Sequence, residues 1–381
     1  MSAPASGLTA APGGLSWRDR WISLRDRLLA SPEFQRRAAR FPLTRPVARR
    51  RARALFDLCA GFVYSQTLLA CVRLNVCETL AEGPQSLGRL AARLGLAPER
   101  ARCLLDAAAA LGLAARGRDG RYGIGPLGAA LVANPAIGAM VEHHTRLYAD
   151  LADPVRLFRG TAGATALAGY WPYAGADDPA SLGGEQVAAY SALMAASQPL
   201  IAAEALDAYS LRRHRCLLDV GGGEGAFLTA AAGRAPDLRL ILFDLPAVAE
   251  RARARMASRG LAERARCVGG DFRRDALPRG ADIVSLMRVL HDHDDATVAL
   301  LLAAVRRALA PGGRALVVEP MAAGPDRVAD AYFGPYLLAM GSGRPRAPAA
   351  IAAMLREAGF RRVRLLRNAQ PLLTRVMVAE L

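Results

Sequence analysis

Lysine is missing from this chain of 381 residues: every one of its 50 basic side chains is arginine. Set against 34 acidic residues, this leaves a formal charge of +16. Coding bias alone can produce a vocabulary so rich in arginine and alanine, so the total charge identifies no nucleic-acid or membrane partner, and only its local concentration carries information. Cysteine is scarce as well. The six cysteines, at 59, 71, 77, 103, 216 and 267, show no paired CxxC spacing and fall in apolar periodic segments, where a reduced thiol packs as a small hydrophobe. That pattern argues against a disulfide scaffold and gives zinc no ligand set, so no metal is expected. No run reaches the roughly 18 uninterrupted apolar residues of a membrane span, and the start MSAPASGLTAAPGG lacks the basic-then-apolar order of a signal peptide. A cytoplasmic location is expected.

What is present is a hydrophobic content of 52%, enough for a large core and more than one domain. The arginines crowd near the front, where Arg36, Arg37, Arg40, Arg45, Arg49, Arg50, Arg51 and Arg53 surround Phe41, Pro42 and Pro46. Upstream, Trp17, Trp21, Ile22, Leu24, Leu28 and Leu29 interleave with Arg18, Arg20, Arg25 and Arg27. Residues 1–55 therefore read as a basic amphipathic extension, and residues 17–53 suit peripheral contact with an anionic inner-membrane surface. A merely solvated charge run is the alternative.

Residues 56–135 read as helical, with apolar positions every three or four residues in FDLCAGFVYSQTLLACV. SLGRLAARLGLAPERARCLLDAAAALGLAARGRDGRYGIGPLGAAL then gives helix, turn, helix and a short hairpin turning at Asp119-Gly120. This winged-helix outline fits a transcriptional regulator, yet its second helix is rich in Ala and Leu and presents few groups suited to base edges. Dimerisation to a homodimer is the better reading, with nucleic acid disfavoured. Residues 136–210 form a helical linker and pocket region, with loop signals at 175–179 and at Gly183-Gly184.

From residue 211 to 381 short β-rich runs alternate with helices: RCLLDV, RLILFD, RARCV, ADIVSLM and RALVVE. The alternation gives a parallel sheet covered on both faces. FRRVRLLR and PLLTRVMVAE have no room for a crossover helix, so they pair antiparallel. The fold class is α/β, a Rossmann-like, mostly parallel sheet with one antiparallel strand.

LLDVGGGEGAF at 217–227 runs from an apolar strand through glycines into a helix, where backbone can approach a ligand. Gly221, Gly223 and Ala226 also satisfy the dinucleotide fingerprint G-x-G-x-x-G/A, which leaves an NAD-dependent oxidoreductase open. Asp219 favours a cationic ligand such as S-adenosyl-L-methionine, because its carboxylate would repel a pyrophosphate. Asp244, followed by Leu245, is placed for ribose hydroxyls in either case. Asp271 and Phe272 offer a carboxylate to the adenine amine and a ring to the adenine face.

In this order LLDVGGGEGAF, FDLPAV, GGDF, RVLHDHDD and LAPGGRALVVEP resemble the plant-caffeate-type class I O-methyltransferase family, over roughly residues 56–381. The N-terminal stretch RDRLLASPEFQRRAARFPLTRPVARRRARALFDLCAGFVYSQ is similar to the bacterial branch that methylates hydroxylated acyclic carotenoids. The resemblance implies S-adenosylmethionine-dependent methylation of a tertiary 1-hydroxyl on such a carotenoid. It also implies that His291 is the general base and Glu319 a carboxylate bracing it.

Histidine suits that task on chemical grounds, since its proton affinity lies near working pH and it follows a parallel strand at the sheet's carboxyl edge. Asp292 is expected to orient the site, while Asp294 and Asp295 are expected to cap the next helix. His293 stands where the family usually has tryptophan. A second bracing carboxylate is absent, its place being taken by Gly343-Arg344-Pro345-Arg346, so a less polarised base is expected. Tyr190, Met194, Tyr332, Phe333 and Met340 are substrate-pocket candidates, each equally ordinary as core, and Ser197 is a weaker one. An aromatic or polyketide hydroxyl, carbon methylation of a tetrapyrrole, and a winged-helix regulator remain as alternatives.

Overall fold

A computed structural model describes residues 16–171, 181, 183–324, 327–372 and 374–381. The loop signals at 175–179 lie outside the described residues. The chain divides into two compact units, residues 1–125 and 126–381.

The first unit opens with helices Trp17–Ala30 and Pro32–Arg40. Ser16 caps the first in a reciprocal capping box with Asp19, and Ser31 caps the second at the Phe34 N–H with Pro32 in the first turn. Neither helix buries a single residue. Helix Arg45–Arg73 follows, with Leu55, Phe56, Leu58, Phe62 and Val63 exposed along it.

By length and composition this 29-residue helix can cross a membrane: its most apolar 18 residues have a mean hydropathy of 1.5, with 11% of that window buried. A helix that meets this test by length and composition alone is thus present, although no 18-residue run within it is uninterruptedly apolar. Single polar residues such as Asp57 and Ser65 interrupt the apolar run without lowering its average below that of a spanning helix.

Helices Leu87–Leu94 and Pro98–Ala110 then lead into an antiparallel hairpin of β1, Ala114–Arg116, and β2, Tyr122–Ile124. Tyr122 fills the core beneath the hairpin and donates its hydroxyl to Asp106 at 2.6 Å. Leu80, Leu90 and Leu105 complete this small core.

In the second unit seven strands form one sheet in the order β5-β4-β3-β6-β7-β9-β8. They are β3, Cys216–Val220; β4, Arg239–Asp244; β5, Ala265–Gly269; β6, Ala281–Met287; β7, Leu309–Glu319; β8, Arg361–Leu366; and β9, Arg375–Glu380. Strand β9 inserts between β7 and β8 and runs antiparallel to both, as their short connection demanded. Central β9 buries Val376, Met377, Val378 and Ala379, whereas edge β8 carries Arg361, Arg362 and Arg364, charges that discourage edge-to-edge pairing.

Two apolar layers sandwich the sheet, one built around Val284, Leu286 and Val317, the other around Leu217, Phe227 and Leu242. The order reverses between β3 and β6, which opens a crevice at the carboxyl ends of those strands. Helices Pro135–Asp150, Gly184–Ala208 and Val328–Met340 belong to the same unit and supply walls over that crevice.

Candidate active site

Strand β3 delivers Asp219 to the crevice and ends in glycines before helix Ala226–Arg234. Gly221 has φ +67°, and a Cβ there would stand 2.7 Å from a Val289 methyl, so the bend admits no side chain. Asp219 is fully buried: its Oδ1 accepts the Ser285 hydroxyl at 2.6 Å and its Oδ2 has no partner. A buried, orphaned carboxylate oxygen is costly until a donor meets it. Burial pushes the Asp219 carboxyl up to about 7, against the Ser285 hydrogen bond and with help from Asp244.

Asp244, at the end of β4, accepts the Gly223 N–H at 2.8 Å and the Leu245 N–H at 2.7 Å. Burial raises it to about 6, and those two backbone donors oppose the rise. Each oxygen keeps lone-pair capacity for a ligand hydroxyl. Asp271 differs from the sequence picture of a free acceptor, because the Arg273 guanidinium binds both of its oxygens at 2.7–3.0 Å. Burial opposes ionisation there, but Arg273 outweighs it and holds the carboxyl below its ordinary range. Phe272 meets His293 edge-on at 5.2 Å between centroids. Burial, then the charge of Arg273, lowers His293 to about 4, so this ring is neutral.

Asp219, Gly221, Gly223, Asp244, Leu245, Asp271 and Phe272 all line one cavity of about 360 Å³. A second cavity of about 580 Å³ is overwhelmingly apolar, and Tyr190, Met194, Tyr332, Phe333 and Met340 all line it together with His291. The two cavities share Tyr190, Met194, Arg288 and Asp292.

His291 sits in the short 3-10 turn Leu290–Asp292 after β6. Its Nδ1 is 2.5 Å from Glu319 Oε2. The other Glu319 oxygen accepts the N–H groups of Val289 and Leu290 at 2.8 and 2.6 Å. The Nε2 of His291 lies 3.1 Å from Asp292 Oδ1. Burial favours the neutral ring, but Asp292 and Glu319 prevail, and the net shift is upward. A second carboxylate therefore stands beside the ring, but at Nε2, and among the described residues Glu319 is the carboxylate that meets Nδ1. Asp294 caps helix Asp295–Ala308 at the Thr297 N–H, 2.8 Å away. Asp295 does not cap it; its carboxylate pairs with Arg344 and Arg346, which hold it down at about 2.

Sequence reasoning passed over Arg288. Its backbone takes φ 57°, a sparsely populated region for a side-chain-bearing residue and one that clusters at functional sites. Its guanidinium donates to Ser197 Oγ at 3.0 Å, Gln198 Oε1 at 2.7 Å and the Met194 carbonyl at 3.2 Å, while its enclosed Nε has no partner. The available signal was a charged residue directly after an apolar parallel strand. Also missed was a pair of adjacent histidines, of which His144 lines the apolar cavity. His143 Nε2 meets the Tyr336 hydroxyl at 2.8 Å, and His144 Nε2 meets that of Tyr332 at 2.6 Å. Burial lowers both histidines and raises both phenols, so neutral imidazoles accept from neutral tyrosines.

This strand order, with a glycine cradle beside an acceptor cavity, defines a class I methyltransferase. Residues 148–361 match the O-methyltransferase domain and residues 56–134 the O-methyltransferase dimerisation domain. The chain is 48% identical to the demethylspheroidene O-methyltransferase of Cereibacter sphaeroides, over 93% of each chain. It is 43% identical to the enzyme of the same name from Rhodobacter capsulatus, over 97% of this chain and 92% of that one. Among solved structures, human N-acetylserotonin methyltransferase in complex with S-adenosylmethionine superposes with a TM-score of 0.68 at 26% identity, covering 86% of this chain and 97% of that one.

The chain belongs to the O-methyltransferase family and uses S-adenosylmethionine. The orphaned Asp219 oxygen and the side-chain-free bend at Gly221 fit that cofactor, which brings cationic groups and needs close backbone approach. The dimerisation-domain match supports a homodimer.

Proposed function

We propose that the enzyme methylates the tertiary 1-hydroxyl of an acyclic hydroxylated carotenoid, with His291 as general base and Glu319 holding its ring. The observation that carries this reading is the apolar cavity, which has His291 in its lining together with the exposed apolar residues Ile137, Leu200, Val328 and Leu372. Exposed apolar residues lining a cavity suit an acceptor that is itself insoluble in water. The names of the two bacterial relatives support the same acceptor class.

Bound S-adenosylmethionine supplies a methyl group on an activated sulfonium. The chain's own residues then do three things. Tyr190, Met194, Arg288 and Asp292, shared by both cavities, set the boundary across which the acceptor oxygen must meet that methyl. The apolar wall excludes water and orients the oxygen, and orientation of this kind contributes on the order of 7 kcal/mol or more. His291 takes the hydroxyl proton at Nε2 while Glu319 fixes Nδ1. A tertiary alcohol is far less acidic than a phenol, so proton removal accompanies transfer and does not precede it.

The exposed apolar residues Phe56, Leu58, Phe62 and Val63 of helix Arg45–Arg73 lie within the region matched to the dimerisation domain. In this reading a second copy covers that face, while helices Trp17–Ala30 and Pro32–Arg40 rest on the inner membrane surface of a cytoplasmic enzyme. An aromatic hydroxyl is the second reading, favoured by the Tyr332, Phe333 and Tyr336 rings on the cavity wall.

Mass spectrometry of cell extracts with and without the protein tests the acceptor. A hydroxylated polyene that gains one methyl group only when the protein is present is the expected result. Methylation of a soluble phenol in preference to any polyene would replace the first reading with the second.

A further inference from the structure

The turn that carries His291 is gripped from both sides. Glu319 gathers its N–H groups, as described above. Its carbonyls, of which that of Leu290 alone accepts an N–H within the turn, from His293 at 3.4 Å, all receive donors from residues 342–346. The Arg346 guanidinium donates to the Leu290 carbonyl at 2.6 Å and to that of His293 at 2.7 Å. The Arg344 N–H donates to the His291 carbonyl at 2.9 Å, and the Ser342 hydroxyl to that of Asp292 at 2.6 Å. Four consecutive carbonyls are thus taken by one segment.

Arg346 is almost wholly buried, 2% exposed, and its charge is met by Asp295 at 2.7 and 2.9 Å. The segment also lies directly against the turn. Gly343 has φ +77°, and a Cβ there would fall 2.0 Å from the His291 carbonyl oxygen and 2.6 Å from the Asp292 carbonyl carbon. No side chain fits at that position without moving the histidine.

We infer that segment 342–346 is a clamp that sets the position of His291 and that Arg346 is its positioning residue. The planar fork makes Arg346 suited to the role: it reaches two carbonyls and a carboxylate at once, which a lysine's single nitrogen cannot reproduce. The chain thereby holds the histidine through its backbone, by a segment whose Pro345 offers no carboxylate to the ring. A shift of about 1 Å in a catalytic group can lower turnover about 100-fold, so loss of the clamp acts on kcat. This inference rests on His291 being the base, and a readout independent of turnover separates the two claims.

The full-length variants Arg346→Lys, Asp295→Asn and Gly343→Ala are compared with the native protein for S-adenosylhomocysteine affinity by calorimetry and for kcat and KM on vesicle-borne hydroxylated carotenoid. Selective 13C labelling of histidine follows the titration of His291 by NMR, its signal assigned by His291→Ala. The expected result is a 10- to 100-fold fall in kcat with cofactor affinity and KM within about threefold. The His291 titration midpoint is expected to fall as its contacts with Asp292 and Glu319 loosen. Asp295 is half-exposed, so Asp295→Asn keeps the test valid if changes at 343 or 346 prevent folding. An unmoved His291 midpoint with kcat within twofold in a folded variant overturns the clamp. A moved midpoint beside full turnover in His291→Ala would leave the clamp standing and remove the base assignment instead.

Discussion

His291 Nε2 stands 3.1 Å from Asp292 Oδ1, so the ring nitrogen not engaged by Glu319 already has a carboxylate beside it. This arrangement favours the protonated ring, and a general base must be neutral to act. Activity is therefore expected to fall as pH drops through a midpoint above the ordinary 6.5 of histidine. Asp292→Asn removes the strongest of the upward influences and moves that acid limb to lower pH. His291→Ala lowers turnover about 100- to 10,000-fold and leaves S-adenosylhomocysteine binding intact. A pH–rate profile of kcat/KM unchanged in Asp292→Asn would show that the contact has no electrostatic consequence.

Asp219 yields a prediction with two opposite signs. Its carboxyl is raised from 3.8 to about 7, with burial as the leading cause. The folded protein thus holds this proton more tightly than the unfolded chain does. The stabilisation is full at low pH and is lost as pH rises between about 4 and about 7. Asp219→Asn is expected to raise the Tm of the ligand-free protein at pH 8 by a few degrees, because no buried charge then forms, while the amide oxygen still accepts from Ser285. The same change is expected to weaken S-adenosylhomocysteine binding at least tenfold and to abolish its dependence on pH between 5.5 and 8. Calorimetry and thermal melts at matched pH check both signs, and a fall in Tm at pH 8 would contradict the buried-charge account.

The sheet was legible because strands buried on both faces are short apolar runs, and because two strands joined by the eight residues between Leu366 and Arg375 cannot cross over in parallel. The cofactor residues were legible for a related reason: Asp219 and Asp244 lie in the last two residues of their strands and Asp271 two residues beyond its own, at the carboxyl edge where open α/β sheets place ligands. Long-range partners left no such trace. Nothing in the local sequence says that Arg346 reaches the carbonyl of Leu290, or that Arg273 occupies Asp271, because those contacts depend on how distant loops pack. The second carboxylate at His291 was sought at the family's usual position, and it lies one residue away from the ring it influences.

The apolar cavity offers a test of how the acceptor arrives. Leu200 is 50% exposed and Val328 67% exposed, and both line it. Leu200→Asp and Val328→Asp each put a charge where a polyene must pass, at little cost to a folded core. The expected outcome is a KM for vesicle-borne carotenoid raised tenfold or more, with S-adenosylhomocysteine affinity unchanged. Unchanged KM in both variants would place the route of the acceptor elsewhere.

The last prediction concerns residues 17–53, which hold twelve arginines against three acidic residues. Helices Trp17–Ala30 and Pro32–Arg40 bury nothing, and isolated helices of such length are marginal in water. Something must therefore cover them, and their composition points to an anionic bilayer. Trp17 is 82% exposed, and the turn after the second helix presents Phe41 and Leu43 between Arg40 and Arg45. Apolar side chains can enter the interface there while each nearby arginine contributes about 1 kcal/mol of attraction to an anionic leaflet. The protein is expected to sediment with vesicles rich in phosphatidylglycerol and not with purely zwitterionic ones. Raising salt from 0.1 to 1 M shortens the Debye length from about 10 to about 3 Å, so the bound fraction is expected to fall. Removing residues 1–54 is expected to abolish sedimentation and lower activity on vesicle-borne acceptor at least tenfold, with S-adenosylhomocysteine affinity retained. If the truncated protein binds vesicles as well as the full chain but loses its dimer by light scattering, the second copy and not the membrane covers these helices.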